Sequence, residues 1–329
     1  MGKFLEVKDL HVQYKTDESV VYALNGLTLD VEKGETVGLV GETGAGKTTL
    51  ALSILKLLPE DVGKITKGSI YYNGTDVIAA GKNEMRRLRG EEISMIFQDP
   101  MTSLNPVLTV GEQIREVLVL HFPDMTKQER EKRVDEILTL VGIPPERKSQ
   151  YPHQFSGGMK QRVVIAIALV AQPKLLLADE PTTALDVTIQ AQILQLMKDL
   201  KQKLNTSMIF ITHDLGVVME FCDSVAVVYG GEVIERGTIE EIYVREKNHP
   251  YTEGLFNCIP DLGVDTHRLH PIEGEVLDPT LKPAGCKFAD RCRYCRDNCK
   301  KSNPDMYHIG GTHFIKCYRY TDGEVQTNE

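Results

Sequence analysis

The chain has 329 residues, 41% of them hydrophobic and 26% charged, with a formal charge of −9 and seven cysteines. That length predicts one large domain with an appendage, or two domains, and the acidic balance argues against non-specific nucleic-acid binding as the main business. The longest unbroken apolar run, Val163 to Ala171, is far too short to cross a bilayer, and no secretory signal pattern follows Met1. The protein is therefore expected in the cytoplasm, with any membrane role exercised through partners.

In chain order, Leu5, Val7, Leu10 and Val12 sit among polar residues and Leu27, Leu29 and Val31 alternate with them, predicting β structure over residues 4–40. This β region ends in the apolar strand Thr36 to Val40, which runs into Gly41-Glu42-Thr43-Gly44-Ala45-Gly46-Lys47-Thr48. From Lys47 a helix is predicted with Leu50, Ile54, Leu55 and Leu58 on one face, stopping at Pro59. Strand, glycine loop and helix in this order form the setting of a nucleotide-phosphate site. Glycines let backbone N–H groups converge on the phosphates, and the helix start adds its positive end. Lys47 is expected to reach the β- and γ-phosphates, and the Thr48 hydroxyl to bind Mg²⁺.

Farther on, Asn73-Gly74 marks a tight hairpin, and a strand from Ile93 to Phe97 ends at Gln98. Residues 109–172 carry helical period, with a capping box at Thr126 and Glu129 and an apolar stripe of Val134, Ile137, Leu138 and Val141 closed by Gly142. Within this stretch Ser156-Gly157-Gly158 opens a helix and exposes backbone donors, a second anion site. Leu175 to Ala178 is uniformly apolar, as a central parallel strand should be, and leaves the core at Asp179-Glu180. A helix follows on Ile189, Ile193, Leu196 and Leu200, and then a buried strand from Met208 to Ile211 that leads to His213. Val225–Tyr229 and Val233–Glu235 read as a closing hairpin. Past residue 245 prolines recur and regular elements are hard to read, so a boundary is placed there. Cys222 and Cys258 stand alone and read as small buried apolar residues, whereas the other five cysteines crowd into residues 286–317. Disulfides are disfavoured in a reducing compartment.

The Gly41–Thr48 loop, the stretch Phe155-Ser156-Gly157-Gly158-Met159-Lys160-Gln161-Arg162 and the Asp179-Glu180 strand end together resemble the ATP-binding cassette family, the ATPase subunits that drive membrane transporters. The resemblance implies an α/β fold: a P-loop NTPase (RecA-like) core with an antiparallel β subdomain and a helical subdomain over 1–245, the helical insertion at about 99–172. A small irregular cysteine-rich domain is expected over 246–329. The resemblance further implies that Gly41 through Thr49 hold ATP, with Lys47 among the catalytic residues. Thr48 and Gln98 would contact Mg²⁺, and Asp179 would hold it through water. Glu180 would act as general base and His213 as the switch at the γ-phosphate. Tyr14, or else Tyr22, would stack on adenine. Ser156, Gly157, Gly158 and Asp186 would act across a dimer seam, closing over the nucleotide of the opposite subunit. Phe155 and Met159 depart from the commonest signature, which has Leu and Gln there.

The run from Gln98 to Pro106, Ser-Gly-Gly-Met at 156–159 and His249-Pro-Tyr-Thr252 resemble the dipeptide and oligopeptide importer branch. That branch implies a second ATPase subunit (the same chain or a paralogue), two permease subunits, an external substrate-binding protein, no nucleic acid, and a place on the cytoplasmic face of the membrane. Met101, Leu104 and Asn105 would line a groove for a permease helix, or else form a plain surface loop. The cysteine segment resembles one whose four cysteines, Cys286, Cys292, Cys299 and Cys317 here, hold a 4Fe–4S cluster. Arg291, Arg293, Arg296 and Lys300 would then lower the thiol pKa values. Cys295 is a fifth candidate, and a structural zinc site is an alternative. Two rival functions stand beside the motor: a soluble cassette ATPase, and a redox-sensing regulator in which the cysteines gate nucleotide use.

Overall fold

The computed structural model describes residues 3–183, 185–244, 246–259 and 271–323. The chain divides into two compact units, one made of residues 1–78 together with everything from Thr212 onward, the other of Ala79–Ile211.

In the first unit, β1 (Leu5–Lys15), β2 (Val20–Val31), β4 (Gly63–Tyr72) and β5 (Thr75–Asp76) form an antiparallel sheet in the order β2-β1-β4-β5. Leu5, Val7, Leu10 and Val12 are all buried. The predicted Asn73-Gly74 turn is a two-residue hairpin pairing Tyr72 with Thr75. Between β2 and β4 lie the wholly buried β3 (Thr36–Val40) and α1 (Lys47–Ile54). Helix α1 ends short of the expected Pro59 because Lys56 turns left-handed at φ 48°.

The second unit opens with α2 (Lys82–Arg87), β6 (Ile93–Ile96), α3 (Pro100–Ser103), α4 (Val110–His121) and α5 (Lys127–Leu140). Both α4 and α5 start with complete capping boxes, Thr109 with Glu112 and Thr126 with Glu129. Then come α6 (Gly157–Leu169), β7 (Leu175–Asp179), α7 (Val187–Leu204) and β8 (Ser207–Thr212). Strands β6, β7 and β8 run parallel with β7 in the middle, as its apolar sequence requires. The buried stripe of α7 is Ile193, Met197 and Leu200. The expected Ile189 and Leu196 are only half-buried, because the face turned to the core is rotated toward Met197.

The first unit resumes with α8 (Leu215–Phe221), β9 (Ser224–Tyr229), β10 (Glu232–Thr238), α9 (Ile239–Tyr243), α10 (Pro250–Asn257), α11 (Asp297–Lys301), β11 (Tyr307–Gly310) and β12 (His313–Ile315). Strand β3 pairs in parallel with β9, β9 pairs antiparallel with β10, and β10 pairs with β12 of the last hairpin. Within the cysteine-rich region, strand β12 joins this sheet through β10. Glu235, fully buried on β10, ties it in by accepting hydrogen bonds from Asn248 Nδ2 (2.9 Å), the His249 N–H (2.8 Å) and His313 Nε2 (2.8 Å). Cys222 and Cys258 are half-buried, not enclosed, because each sits at a helix C-cap, after α8 and α10. Among the described residues no helix is long and apolar enough to cross a membrane.

Candidate functional site

Strand β3 delivers the glycine loop to the start of α1. A Cβ on Gly41 would lie 2.2 Å from the Val228 carbonyl oxygen, and one on Gly46, already at φ 101°, would lie 2.5 Å from that of Ala23. The loop is thus pressed against β9 and β2 where no side chain fits. Lys47 is buried, and its ammonium donates to the loop's own carbonyls at Gly41 (2.6 Å) and Glu42 (3.0 Å). The Tyr14 hydroxyl meets Thr49 Oγ1 at 3.2 Å, which sets that ring beside α1. Tyr22 is engaged by the C-terminal stretch: its N–H donates to Pro279 O (2.8 Å) and Lys282 Nζ lies 5.5 Å from its ring centre. Tyr14 is the better placed of the two candidate aromatics. His213 is exposed directly after β8. Its neighbour Asp214 caps α8, accepting from the N–H groups of Gly216 (2.8 Å) and Val217 (3.2 Å).

Sequence reasoning missed two partners of the loop. The Glu42 N–H donates to the hydroxyl of the buried Tyr251 (2.9 Å), and the Glu42 carboxylate receives both Nη atoms of Arg291, at 2.7 and 3.1 Å. Tyr251 belongs to the His-Pro-Tyr-Thr motif, which was the available signal. Arg291 stood out only as a charge among cysteines.

In the second unit Asp179 is buried at the end of β7, while Glu180 is half-buried. Glu180 adopts φ 46°, a conformation that costs a residue with a Cβ about 1–3 kcal/mol. Its N–H donates to Ile211 O (2.9 Å), and its carboxylate accepts from Gln98 Nε2 (3.0 Å) and Thr183 Oγ1 (2.9 Å). The structure thus brings Gln98 and Glu180 together, and Thr183 is a further partner that spacing alone did not single out.

Ser156 takes the N-cap position of α6, yet its side chain makes no capping bond. The two departures from the family signature meet on one residue: Arg147 lies 4.5 Å over the Phe155 ring and directs Nη1 to Met159 Sδ at 3.3 Å. Asp186 caps α7 through the Ile189 N–H at 3.0 Å. The expected groove lining is corrected in part. Leu104 is buried and so does not line a surface groove, whereas Asn105 is exposed with its N–H (2.9 Å) and carbonyl (3.1 Å) bound to Gln113; the side chain of Met101 lies outside the described residues. Phe97 and Val107 are the large apolar side chains exposed beside this stretch.

Cys286, Cys292, Cys299 and Cys317 line one pocket together with Phe288, Tyr294, Arg296 and Arg319, and Cys295 is not among the lining residues. Burial pushes the thiol of Cys286 up to about 12 and those of Cys292 and Cys317 up to about 11, and charge on the neighbouring sulfurs adds to the effect. The raised direction at these three thiols runs against the expected lowering by nearby cations. Arg291 is directed to Glu42 and Arg293 to Glu253 (2.8 Å), so their charge serves carboxylates, and desolvation of the sulfurs dominates. Among the described residues no three His, Cys, Asp or Glu side chains converge closely enough to hold a single metal ion. The donor set on offer is four cysteine sulfurs lining one largely apolar pocket.

Residues 24–183 match the family described as ABC transporter, and residues 234–299 match the one described as the oligopeptide/dipeptide transporter C-terminal region. The chain is 50% identical over 319 residues to the oligopeptide transport ATP-binding protein OppD of Bacillus subtilis, covering 96% of this chain and 88% of that one. It is 48% identical to the oligopeptide transport ATP-binding protein AppD of the same organism, covering 98% of each chain. Among solved structures it is similar to the ATP-binding cassette MJ0796, determined as a dimer in a post-hydrolysis state bound to ADP and Pi. That likeness has a TM-score of 0.64 and 31% identity over 71% of this chain and 98% of the other.

Proposed function

The chain belongs to the ATP-binding proteins of ABC transporters, in the oligopeptide and dipeptide branch, and from that membership we infer how its residues serve as the ATP-hydrolysing motor of a peptide importer. The protein is an ATPase that works as a dimer with permease partners. Substrate ATP is held by Gly41 through Thr49, with adenine against Tyr14. Lys47 leaves its resting bonds to the loop carbonyls to meet the β- and γ-phosphates. Thr48 and Gln98 would contact Mg²⁺, with Asp179 behind them through water, and the ion would supply charge neutralisation on the phosphates. Glu180 accepts the proton of the attacking water, and His213 reports on the γ-phosphate. Ser156, Gly157 and Gly158 close over the nucleotide of the partner subunit, and Asp186 crosses the seam. The free Ser156 hydroxyl at an N-cap supports that reading. Peptide is delivered by an external binding protein, and the subunit lies against the cytoplasmic face of the membrane.

The four pocket cysteines are read as ligands of a 4Fe–4S cluster. Four cysteines lining one pocket support that reading, with a structural zinc site as the alternative. The soluble-cassette and redox-regulator readings are not favoured, since the relatives are named as transport proteins.

The observation that carries the hydrolytic assignment is Glu180, held in a strained backbone by Gln98 and Thr183. Glu180→Gln is expected to bind ATP, hydrolyse it at least about a hundredfold more slowly, and accumulate as a nucleotide-bound dimer on size exclusion. Turnover near the wild-type rate would remove Glu180 as the base.

A further inference from the structure

We propose that Arg291, from the segment between Cys286 and Cys292, is a positioning residue for the phosphate loop: it offsets and aims the Glu42 carboxylate so that the loop accepts a triphosphate. The inference rests on reading Gly41–Thr49 as the ATP cradle. A carboxylate on the second residue of an anion-binding loop opposes the loop's purpose, because its charge repels the phosphates that the backbone donors attract. Glu42 is nonetheless there, and its N–H is fixed to Tyr251. Among the described residues Arg291 is the cation paired with that carboxylate, through two bonds of 2.7 and 3.1 Å.

The Arg291 side chain is only 5% exposed. It further donates to the carbonyls of Glu273 (3.1 Å) and Ile272 (3.3 Å) and to the Tyr229 hydroxyl (3.4 Å). It also packs 5.8 Å from the ring centres of Tyr229 and Phe288. A two-pronged bond from a fixed fork sets direction as well as charge. The cysteine-bearing segment thereby supplies the nucleotide loop with a second cation beside Lys47, one paired with Glu42, and ATP affinity depends on how that segment is seated.

The test is titration of the full chain with N-methylanthraniloyl-ATP, together with KM and kcat for ATP. Arg291→Met is expected to weaken binding about tenfold, with the change carried by KM and not by kcat. Glu42→Gln removes the repelling charge and is expected to tighten binding about threefold, and the double variant to return to within about threefold of wild type. A role limited to packing predicts the opposite for the last two, since either change would loosen the loop. Binding by Arg291→Met within about twofold of wild type, or a double variant as weak as Arg291→Met, overturns the inference. Should Arg291→Met fail to fold, Glu42→Gln decides alone, and weaker binding by it overturns the inference. Loss of the cradle reading itself would look different: Lys47→Ala would then bind the nucleotide as well as wild type.

Discussion

Five thiols fall within residues 286–317, and the fold sorts them. Cys286, Cys292, Cys299 and Cys317 face one pocket, and Cys295 does not. Cys295 follows Cys292 by three positions, a spacing that in a linear reading suits zinc as well as iron; what separates it from the others is the course of the backbone. The same holds for the arginines. Their charge was visible in the sequence, but the carboxylates that claim Arg291 and Arg293 are 249 and 40 residues away. Anaerobic reconstitution with iron and sulfide is expected to load wild type and Cys295→Ser equally. Serine at Cys286, Cys292, Cys299 or Cys317 should abolish the brown absorbance. Loss of iron from Cys295→Ser, with retention by Cys299→Ser, would shift the ligand set.

At the scale of elements, the parts whose cause is local were readable. The Asn-Gly hairpin, the Thr126 capping box and the apolar β7 all depend on neighbours in sequence. The inward turn of Leu104, set by packing, was not. Helix α10 shows both kinds of cause. His249 is its N-cap, accepting the Tyr251 N–H at Nδ1 (3.1 Å), and its backbone N–H is held by Glu235. Burial, with a smaller contribution from Arg319, lowers the imidazole from its ordinary value of 6.5 to about 3, so the ring is neutral in the fold. A depressed folded-state value means that this contribution to stability is complete above pH 6.5 and is lost as pH falls from 6.5 toward 3. His249→Asn retains a capping acceptor without the titration. Its urea-unfolding free energy should therefore decline less steeply than wild type across that window, and parallel decline would clear His249 of the acid response.

For the whole molecule, the family's logic has a second subunit contribute residues to the reaction. A donor supplied from a partner is worth about 10³–10⁵ in phosphoryl-transfer rate. ATP turnover per protomer is therefore expected to rise with protein concentration, and Ser156→Arg, which plugs the glycine-capped end of α6, should hold it at the dilute value. A specific activity that is flat with concentration and insensitive to Ser156→Arg would sever hydrolysis from pairing. The sequence made this division of labour legible through its motifs, but not the route by which the C-terminal stretch reaches back to the nucleotide loop.

The pairing of β12 with β10 has a practical corollary for anyone trimming this gene. Cutting the chain after the nucleotide-binding portion would strip Glu235 of Asn248, His249 and His313 at a stroke, leaving a carboxyl group without these partners in a greasy interior. It would also bare the ladder rim that β12 covers, an invitation to sticky self-association. The tail is built into the engine block, and a minimal fragment lacking it is a different material.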